Sequence, residues 1–357
     1  MYRKFNFLVL FLVLCLPSVA QEKAVAIEKL VQRLASQQAF EGTVLVAEKG
    51  EPIYHQSFGF KDENKIFPVA NSTKFGIASI TKLFTAIVIL QLVEEGQVKL
   101  TDALHQLFPT MELPNSDKIT VHHLLLHISG LPNEDFEIYT TSQISLEEFI
   151  KQTLSNDLNT FGEFNYANID YVLLGLIIEK FDGRPWASSV QNRILDKLAM
   201  AQTGFLEKGK YPKDFAYSFS YDENYNRNAD PFLFIENYAS AGSMYSTAMD
   251  LLKFDQALYS DQLLSKESKD LLYKSYPEYN FSGYSVWTYN YPFSKTQPMI
   301  MERRGGILGA NSVLVRFLDS NQTIIILSNN NKFNPDSFGN TNALKEALII
   351  ELDNTRD

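Results

Sequence analysis

Residues 79–96 read Ser-Ile-Thr-Lys-Leu-Phe-Thr-Ala-Ile-Val-Ile-Leu-Gln-Leu-Val-Glu-Glu-Gly. Residues 79–95 are apolar on nearly every face around their middle, which predicts a helix buried in the core, and Gly96 predicts where that helix ends. Residues three apart on a helix share one face, so the Lys82 amine can hydrogen-bond the Ser79 hydroxyl. The sequence therefore places a candidate nucleophile and a candidate base at the start of a core helix.

The Ser-x-x-Lys spacing is open to two interpretations. A serine hydroxyl becomes a strong nucleophile when a neighbouring base takes its proton, and a lysine amine can do so only when burial or nearby cations displace its own proton. A chain of this length also offers several such spacings by chance, and by itself the spacing favours an ordinary helix start over catalysis. The choice between the two depends on the rest of the chain.

The composition describes a chain that can bury a large core. Of its 357 residues 45% are apolar, and no linker or internal repeat divides them, so one folded domain is expected over residues 21–357. The net charge of −10 argues against a nucleic-acid partner, because a phosphate backbone attracts the opposite sign. No apolar stretch reaches the about 20 residues that a membrane-spanning helix needs, so no membrane span is expected.

Residues 1–20 predict a cleaved secretory signal peptide. Two basic residues precede an apolar run at 7–16, and Ser18 and Ala20 supply the small residues of a cleavage site. Cys15, the single cysteine, follows a bulky residue where lipoprotein signals carry a small one, so a lipid anchor is not expected. The expected location is periplasmic or secreted, and the mature chain would contain neither disulfides nor thiolate metal sites.

Strands are predicted at both ends of the chain. Alternating apolar positions at 42–46 and 52–58 flank a Lys-Gly turn, and those at 312–317 and 323–327 flank an Asp-Ser-Asn turn, so each pair predicts a hairpin. The middle is mostly helical, with a second apolar helix at 169–181. The expected fold is of the α/β (α+β) class, with an antiparallel sheet built from both chain ends, flanked by helices, and a mostly helical insert.

Several familiar catalytic patterns are missing. No Gly-x-Ser-x-Gly motif is present, and no pair of carboxylates is singled out for glycoside hydrolysis. The five histidines form no His-Glu-x-x-His or similar pair, so neither a metal nor a cofactor is expected. The cluster of His122, His123 and His127 is interpreted as structural groups around an apolar run. Residues 211–238, rich in Tyr, Asn, Phe and Asp, predict a long surface excursion of the kind that is often functional.

Further segments accompany the Ser-x-x-Lys motif in a fixed order. They are residues 40–60, residues 75–85 around Ser79, residues 119–132, the Tyr-x-Asn element at 166–168, and residues 241–254. Together, over nearly the whole mature chain, they resemble the class C β-lactamase and penicillin-binding serine hydrolase family. The resemblance implies a β-lactamase/transpeptidase-like fold and a serine hydrolase that works through an acyl-enzyme.

The resemblance also implies a role for each residue of the site. Ser79 would attack the carbonyl, and Lys82 and Tyr166 would share the base role, with the first proton acceptor left open between them. Asn168 would donate to a substrate carbonyl and hold the Lys82 ammonium in place. A helix entry with Asn168 as its N-cap is the alternative interpretation of the Tyr-x-Asn element.

The third motif of the chain departs from the family pattern. Members carry Lys-Thr-Gly or His-x-Gly, whereas this chain has Arg303, Arg304, Gly305 and Gly306. Aligning the glycines puts Arg303 at the Lys/His position, Arg304 is the candidate if the register shifts by one, and a solvated strand end is the alternative. Arginine grips carboxylates but effectively never gives up its proton, so it can bind substrate but cannot be a base. Gly305 permits close backbone approach, and the Gly306 and Ser79 amides would form the oxyanion hole.

The sequence thus predicts an exported serine acyl hydrolase that acts on an amide, peptide, ester or lactam carbonyl of a small molecule or peptide. Peptidase or esterase activity is favoured over true β-lactamase activity. The alternative is a non-catalytic protein of the same fold that binds penicillin or cell-wall peptides, for which the arginine of the third motif is the argument. Arg303 suggests a carboxylate-bearing substrate, and residues 211–238 suggest an aromatic-lined pocket.

Overall fold

A computed structural model of the chain describes residues 19–354. The predicted signal peptide at 1–20 lies almost entirely outside the described residues, and the domain boundary after residue 20 stays a prediction. Between residues 19 and 354, no helix combines the length and the apolar character needed to cross a membrane.

The central element is a six-stranded antiparallel sheet built from both chain ends, as the sequence predicts. Its strand order is β2-β1-β11-β10-β9-β8. The strands are β1 (Gly42–Glu48), β2 (Glu51–Phe58), β8 (Trp287–Asn290), β9 (Met299–Ile307), β10 (Ala310–Phe317) and β11 (Gln322–Ser328). The two expected hairpins meet at the centre, where β1 pairs with β11 from Gly42 opposite Ser328 to Glu48 opposite Gln322.

Helices cover both faces of this sheet. The first helix α1 (Val19–Gln37) and the last helix α10 (Leu344–Asn354) pack together on one face, and α8 (Ala248–Ala257) packs on the other. Successive side chains of a strand point to opposite faces. Accordingly, Val44 and Val46 of β1 pack in the cluster with α1 and α10, whereas Leu45 packs in the larger core beyond the other face.

The chain between β2 and β8 is mostly helical, as expected. Its helices are α2 (Thr81–Glu94), α3 (Leu104–Leu107), α4 (Val121–Leu126), α5 (Leu146–Thr153), α6 (Asn168–Asp182), α7 (Trp186–Val190), α8 and α9 (Lys266–Leu272). All α2 side chains from Thr81 to Leu92 are buried, and α2 packs against α6. The ring of Phe84 stacks on Phe254 of α8 at 4.0 Å. The apolar sequence at 79–95 therefore forms the central core helix.

Short strands connect these helices to the sheet. A three-stranded sheet joins β3 (Phe75–Gly76), β7 (Met244–Ser246) and β4 (Gly204–Phe205), with β7 in the middle. The predicted excursion at 211–238 contains a hairpin of β5 (Phe219–Tyr221) and β6 (Arg227–Ala229) that the sequence did not predict. Arg227 anchors this hairpin, because its guanidinium pairs with Glu41 and lies 4.0 Å from the centre of the Phe219 ring.

Candidate active site

Ser79 lies on a turn between β3 and α2. The helix begins slightly later than the sequence predicts, because Ala78–Ile80 form a single 3₁₀ turn and the α-helix starts at Thr81. Ala78 has a φ of 45°, a conformation that costs a residue with a Cβ some energy and that clusters at functional sites. The Thr81 hydroxyl accepts a hydrogen bond from the Met244 amide at 3.2 Å. This turn is therefore tied to β7, and it holds Ser79 in a fixed position.

Lys82 connects the nucleophile to the rest of the site. Its amine is fully buried and donates to the Ser79 hydroxyl at 3.1 Å, the Asn168 side-chain oxygen at 2.6 Å and the Ala241 carbonyl at 2.8 Å. Burial lowers the pKa of this amine. A neutral amine would keep donating to Asn168 and Ala241, which only accept, and would turn its lone pair to Ser79. The geometry therefore suits a base that takes the Ser79 proton.

Tyr166 lies directly before α6 and faces the same hydroxyl. Arg303 donates to the Tyr166 phenol oxygen at 2.8 Å, and the Lys82 amine lies 5.0 Å from the centre of the ring. Burial raises the pKa of Tyr166, but the charges of Arg303 and Lys82 and hydrogen bonds from Lys82 and Ser79 lower it to about 8 overall. A phenol with this pKa can exchange protons near neutral pH, which suits a proton shuttle.

Arg303 contacts the catalytic candidates themselves. Its side chain lies on β9 and is 1% exposed, and besides Tyr166 it donates to the Ser79 carbonyl oxygen at 2.7 Å. Binding of a substrate carboxylate by Arg303 stays a prediction. The contacts of its buried guanidinium favour a different role, which is to place a permanent positive charge beside the phenol.

Arg304, the next residue of β9, points to the opposite face of the strand from Arg303. It lines a cavity of about 350 Å³ together with Ser79, Tyr166 and Trp287. Its guanidinium lies 4.7 Å from the Trp287 ring centre and pairs with Glu302 and with Asp336. Since Arg304 reaches the cavity that contains the nucleophile, it is the better placed of the two arginines for a substrate carboxylate.

Gly305 and Gly306 lie where β9 has an open edge. The strand β8 pairs with β9 only up to Glu302, so within the described residues no strand covers this edge beyond that point. A Cβ on Gly305 would lie 2.3 Å from the Ile77 carbonyl oxygen and 3.1 Å from the Ser79 amide nitrogen. Glycine at 305 therefore lets β9 approach the nucleophile closely. The oxyanion hole formed by the Ser79 and Gly306 amides stays a prediction, to which this approach gives support.

Glu134 joins the site although the sequence analysis did not single it out. One carboxylate oxygen accepts from the Asn168 amide at 2.6 Å and from the Tyr139 hydroxyl at 2.5 Å. The other oxygen is buried and has no hydrogen-bond partner within the described part of the chain. Asn168 is the first residue of α6, and its side chain caps nothing, so the N-cap alternative is wrong. The sequence gives only one indication of Glu134, which is its position just after residues 119–132.

His127 and Asp170 hold the loop that carries Tyr166. The His127 carbonyl accepts from the Asn165 amide at 2.8 Å, and its Nδ1 accepts from the Ala167 amide at 3.3 Å. Nδ1 also lies 3.0 Å from an Asp170 oxygen, and the His127 ring packs 4.3 Å from the Tyr166 ring. Burial lowers the pKa of His127 well below its usual range and raises the pKa of Asp170 well above its usual range. Burial therefore favours the neutral form of both groups, and the pair supports the loop that carries Tyr166.

The structure brings together all eight residues that the sequence predicts, either as the lining of one cavity or through hydrogen bonds to one another. They are Ser79, Lys82, Tyr166, Asn168, Arg303, Arg304, Gly305 and, through its backbone, Gly306. Among residues 19–354, no cluster of three or more His, Cys, Asp or Glu side chains could hold a metal ion.

Comparisons with known proteins show the family and the fold. A family model described as Beta-lactamase matches residues 27–349. Penicillin-binding protein 4* of Bacillus subtilis (strain 168) is 30% identical over 332 residues, covering 87% of this chain and 72% of the relative. Teichoic acid D-alanine hydrolase of Staphylococcus aureus (strain MRSA252) is 26% identical over 293 residues, covering 79% and 68%. A solved D-amino acid amidase from Ochrobactrum anthropi SV3 shares the fold, with a TM-score of 0.79 at 21% identity, over 94% of this chain and 100% of the amidase.

Proposed function

The chain belongs to the β-lactamase family, and we propose that it is an exported serine hydrolase that cleaves an amide or ester of a D-amino acid through an acyl-enzyme on Ser79. The observation that carries this proposal is the buried Lys82 amine, which is hydrogen-bonded to Ser79 and Asn168. A buried lysine that touches a serine hydroxyl has little structural purpose, because burying an amine costs free energy unless function or pairing requires it.

Catalysis would proceed in two steps. The Ser79 oxygen attacks the carbonyl carbon while Lys82 or Tyr166 takes its proton, and the oxyanion forms between the Ser79 and Gly306 amides. The bond from carbon to the leaving nitrogen or oxygen then breaks, and Tyr166 protonates the leaving group, with the proton taken from Ser79 passed on to the phenol where Lys82 was its first acceptor. In the second step water attacks the acyl-enzyme, loses its proton to the same base, and releases the acid and the free Ser79 hydroxyl.

Glu134 and the relatives support the proposed substrate class. Two of these relatives, a teichoic acid D-alanine hydrolase and a D-amino acid amidase, act on D-amino acid derivatives. In this chain, Glu134 has a buried carboxylate oxygen without a partner among residues 19–354, one hydrogen bond away from Asn168. A free α-ammonium group on the substrate would satisfy this oxygen. These two points favour an amide or ester of a D-amino acid over a lactam.

A matched pair of substrates tests this proposal. We expect the wild-type protein to hydrolyse D-alanine p-nitroanilide, and to do so at least about tenfold more efficiently than the N-acetylated compound, which lacks the ammonium. The substitution Glu134→Gln should lower the ratio of the two kcat/KM values about tenfold or more, because a charge-assisted hydrogen bond becomes a neutral one. The ratio cancels any loss that both substrates share, for example through the bond from Asn168 to residue 134.

Glu137→Gln is the matched control, because Glu137 is an exposed acidic residue three positions further along the chain. It should leave the ratio at the wild-type value. If Glu134→Gln leaves the ratio unchanged, the proposed contact between Glu134 and the substrate ammonium is contradicted. If the protein hydrolyses neither compound, no ester and no lactam, and a fluorophosphonate probe labels nothing, the alternative of a non-catalytic binding protein is correct.

Export is part of the same proposal and rests on the predicted signal peptide. We expect the protein isolated from an exporting cell to begin at Gln21, because Ala20 is the last small residue before the predicted cleavage site. The intact mass of that protein measures this directly. A mass that includes residues 1–20 would contradict cleavage.

A further inference from the structure

A second cavity adjoins the oxyanion-hole residues. It has a volume of about 180 Å³ and is separate from the cavity that contains Ser79. Two of its lining residues are Ala78, directly before Ser79, and Ile307, directly after Gly306. If the substrate carbonyl lies between the Ser79 and Gly306 amides, this second cavity begins beside the reacting carbon.

Aromatic side chains from residues 211–238 form its outer wall. Tyr211 lies 5.1 Å from Phe215, 5.4 Å from Tyr217 and 5.8 Å from Phe232, measured between ring centres. Tyr217 is 41% exposed and Phe232 is 60% exposed. Large apolar side chains that are exposed together around a cavity are characteristic of a binding site, because water contact with them is unfavourable.

The wall is fixed in place before any ligand arrives. The Asp230 carboxylate accepts from the Gly309 amide at 2.7 Å and from the Ser220 hydroxyl at 2.7 Å. The bond from Gly309 ties the end of the β5–β6 hairpin to the turn between β9 and β10, and the bond from Ser220 joins the two sides of the hairpin. The pair of Arg227 and Glu41 ties the hairpin to the start of β1. Both Asp230 oxygens already have a donor, and apart from Asp230 and Glu63 the cavity is lined mainly by apolar and aromatic side chains.

The position of the proton donor decides which half of the substrate enters this cavity. Tyr166, which would protonate the leaving group, lines the other cavity together with Trp287 and Arg304. The leaving group therefore belongs on that side. The acyl half then extends in the other direction, past Ala78 and Ile307.

We propose that the second cavity binds the side chain of the acyl group, and that this side chain is apolar and about the size of a phenyl ring. An apolar cavity of about 150 Å³ in another protein holds one benzene molecule, so 180 Å³ has room for a phenyl group. The inference rests on the proposed function, because it takes Ser79 as the nucleophile and Tyr166 as the proton donor.

Two p-nitrophenyl esters with the same leaving group test the inference. We expect kcat/KM for the 3-phenylpropionate to exceed that for the acetate by about tenfold or more, because an apolar pocket gains at least that factor from a group that fills it. Ala310→Leu would place extra atoms in the cavity and should lower this ratio at least tenfold. Phe232→Ala, which removes a mostly exposed wall ring and so leaves folding intact, should lower it as well. Phe293→Ala removes an exposed ring that does not line the cavity and should keep the wild-type ratio.

A binding measurement separates this inference from the proposed function. In the Ser79→Ala protein, calorimetric titration with 3-phenylpropionamide should show binding that the additional Ala310→Leu substitution weakens at least tenfold. Equal ester ratios in the wild-type and Ala310→Leu proteins, or equal binding in the two titrations, would overturn the inference that the second cavity binds the acyl side chain. If the protein hydrolyses neither ester but binds 3-phenylpropionamide in a way that Ala310→Leu weakens, the second cavity is supported as a binding site and the proposed function is contradicted.

Discussion

Replacing Ser79 by alanine is expected to lower kcat by at least about 10⁴-fold and to abolish labelling by a fluorophosphonate probe. The substitution removes the atom that forms the acyl-enzyme, so only the binding of substrate and the oxyanion hole would still contribute to the rate. Steady-state hydrolysis of an activated ester measures the loss, and intact mass measures the single covalent adduct. Among residues 19–354 the hydroxyl of Ser79 interacts with Lys82 at 3.1 Å and with the Tyr166 phenol, so few contacts are lost and the loss of activity should not be caused by unfolding.

Ser72→Ala is the matched control for this experiment. Ser72 is an exposed serine seven positions earlier in the same segment, and its replacement should change neither the rate nor the labelling. Thermal unfolding of both variants, compared with the wild type, checks that each remains folded. A Ser79→Ala protein that still acquires the adduct would show that a different residue is the nucleophile.

The fold could be predicted from the sequence wherever the local pattern of apolar residues determines the secondary structure. The two outer hairpins follow from alternating apolar residues, and the core helix follows from the continuous apolar stretch at 79–95, because both patterns reflect burial directly. The hairpin within residues 211–238 was missed for the same reason. Its strands β5 and β6 carry many polar residues, and neither presents the regular apolar alternation of a half-buried strand.

The candidate site was accessible through motifs, but the contacts between them were not. Glu134 lies 34 positions before Asn168, and only the packing of the loop before α5 against α6 brings the two together. The two arginines show most clearly that the sequence did not predict these contacts. Adjacent residues of a strand point to opposite faces, so a one-residue register decides which of Arg303 and Arg304 meets Tyr166. The structure places Arg303 on that side.

Because Arg303 contacts the Tyr166 phenol, we expect it to act on the proton chemistry of the site, and its removal should change the pH dependence of the reaction. Burial alone would raise the pKa of the Tyr166 phenol, and the nearby positive charges lower it to about 8. The pKa of the Lys82 amine is likewise lowered, first by burial and also by the Arg303 charge. Loss of this charge should raise the pKa of both groups, so less of the basic form would exist at neutral pH.

Arg303→Gln is expected to move the pH limb of kcat/KM, the pH range over which the rate rises, upward by at least about one unit, and thereby to lower activity at pH 7 by at least about tenfold. The rate should rise with pH in both proteins, because the base must be unprotonated, and Arg303→Lys should restore part of the shift. The measurement is kcat/KM for hydrolysis of a neutral ester as a function of pH, from pH 6 to 10, which covers about four decades of proton concentration. Arg304 does not contact Tyr166, so Arg304→Gln should leave the pH limb at its wild-type position. If the limb of the Arg303→Gln protein lies at the wild-type pH, the electrostatic role of Arg303 is contradicted. Tyr166→Phe then identifies the base, because the limb disappears if the phenol is titrating and persists if Lys82 is.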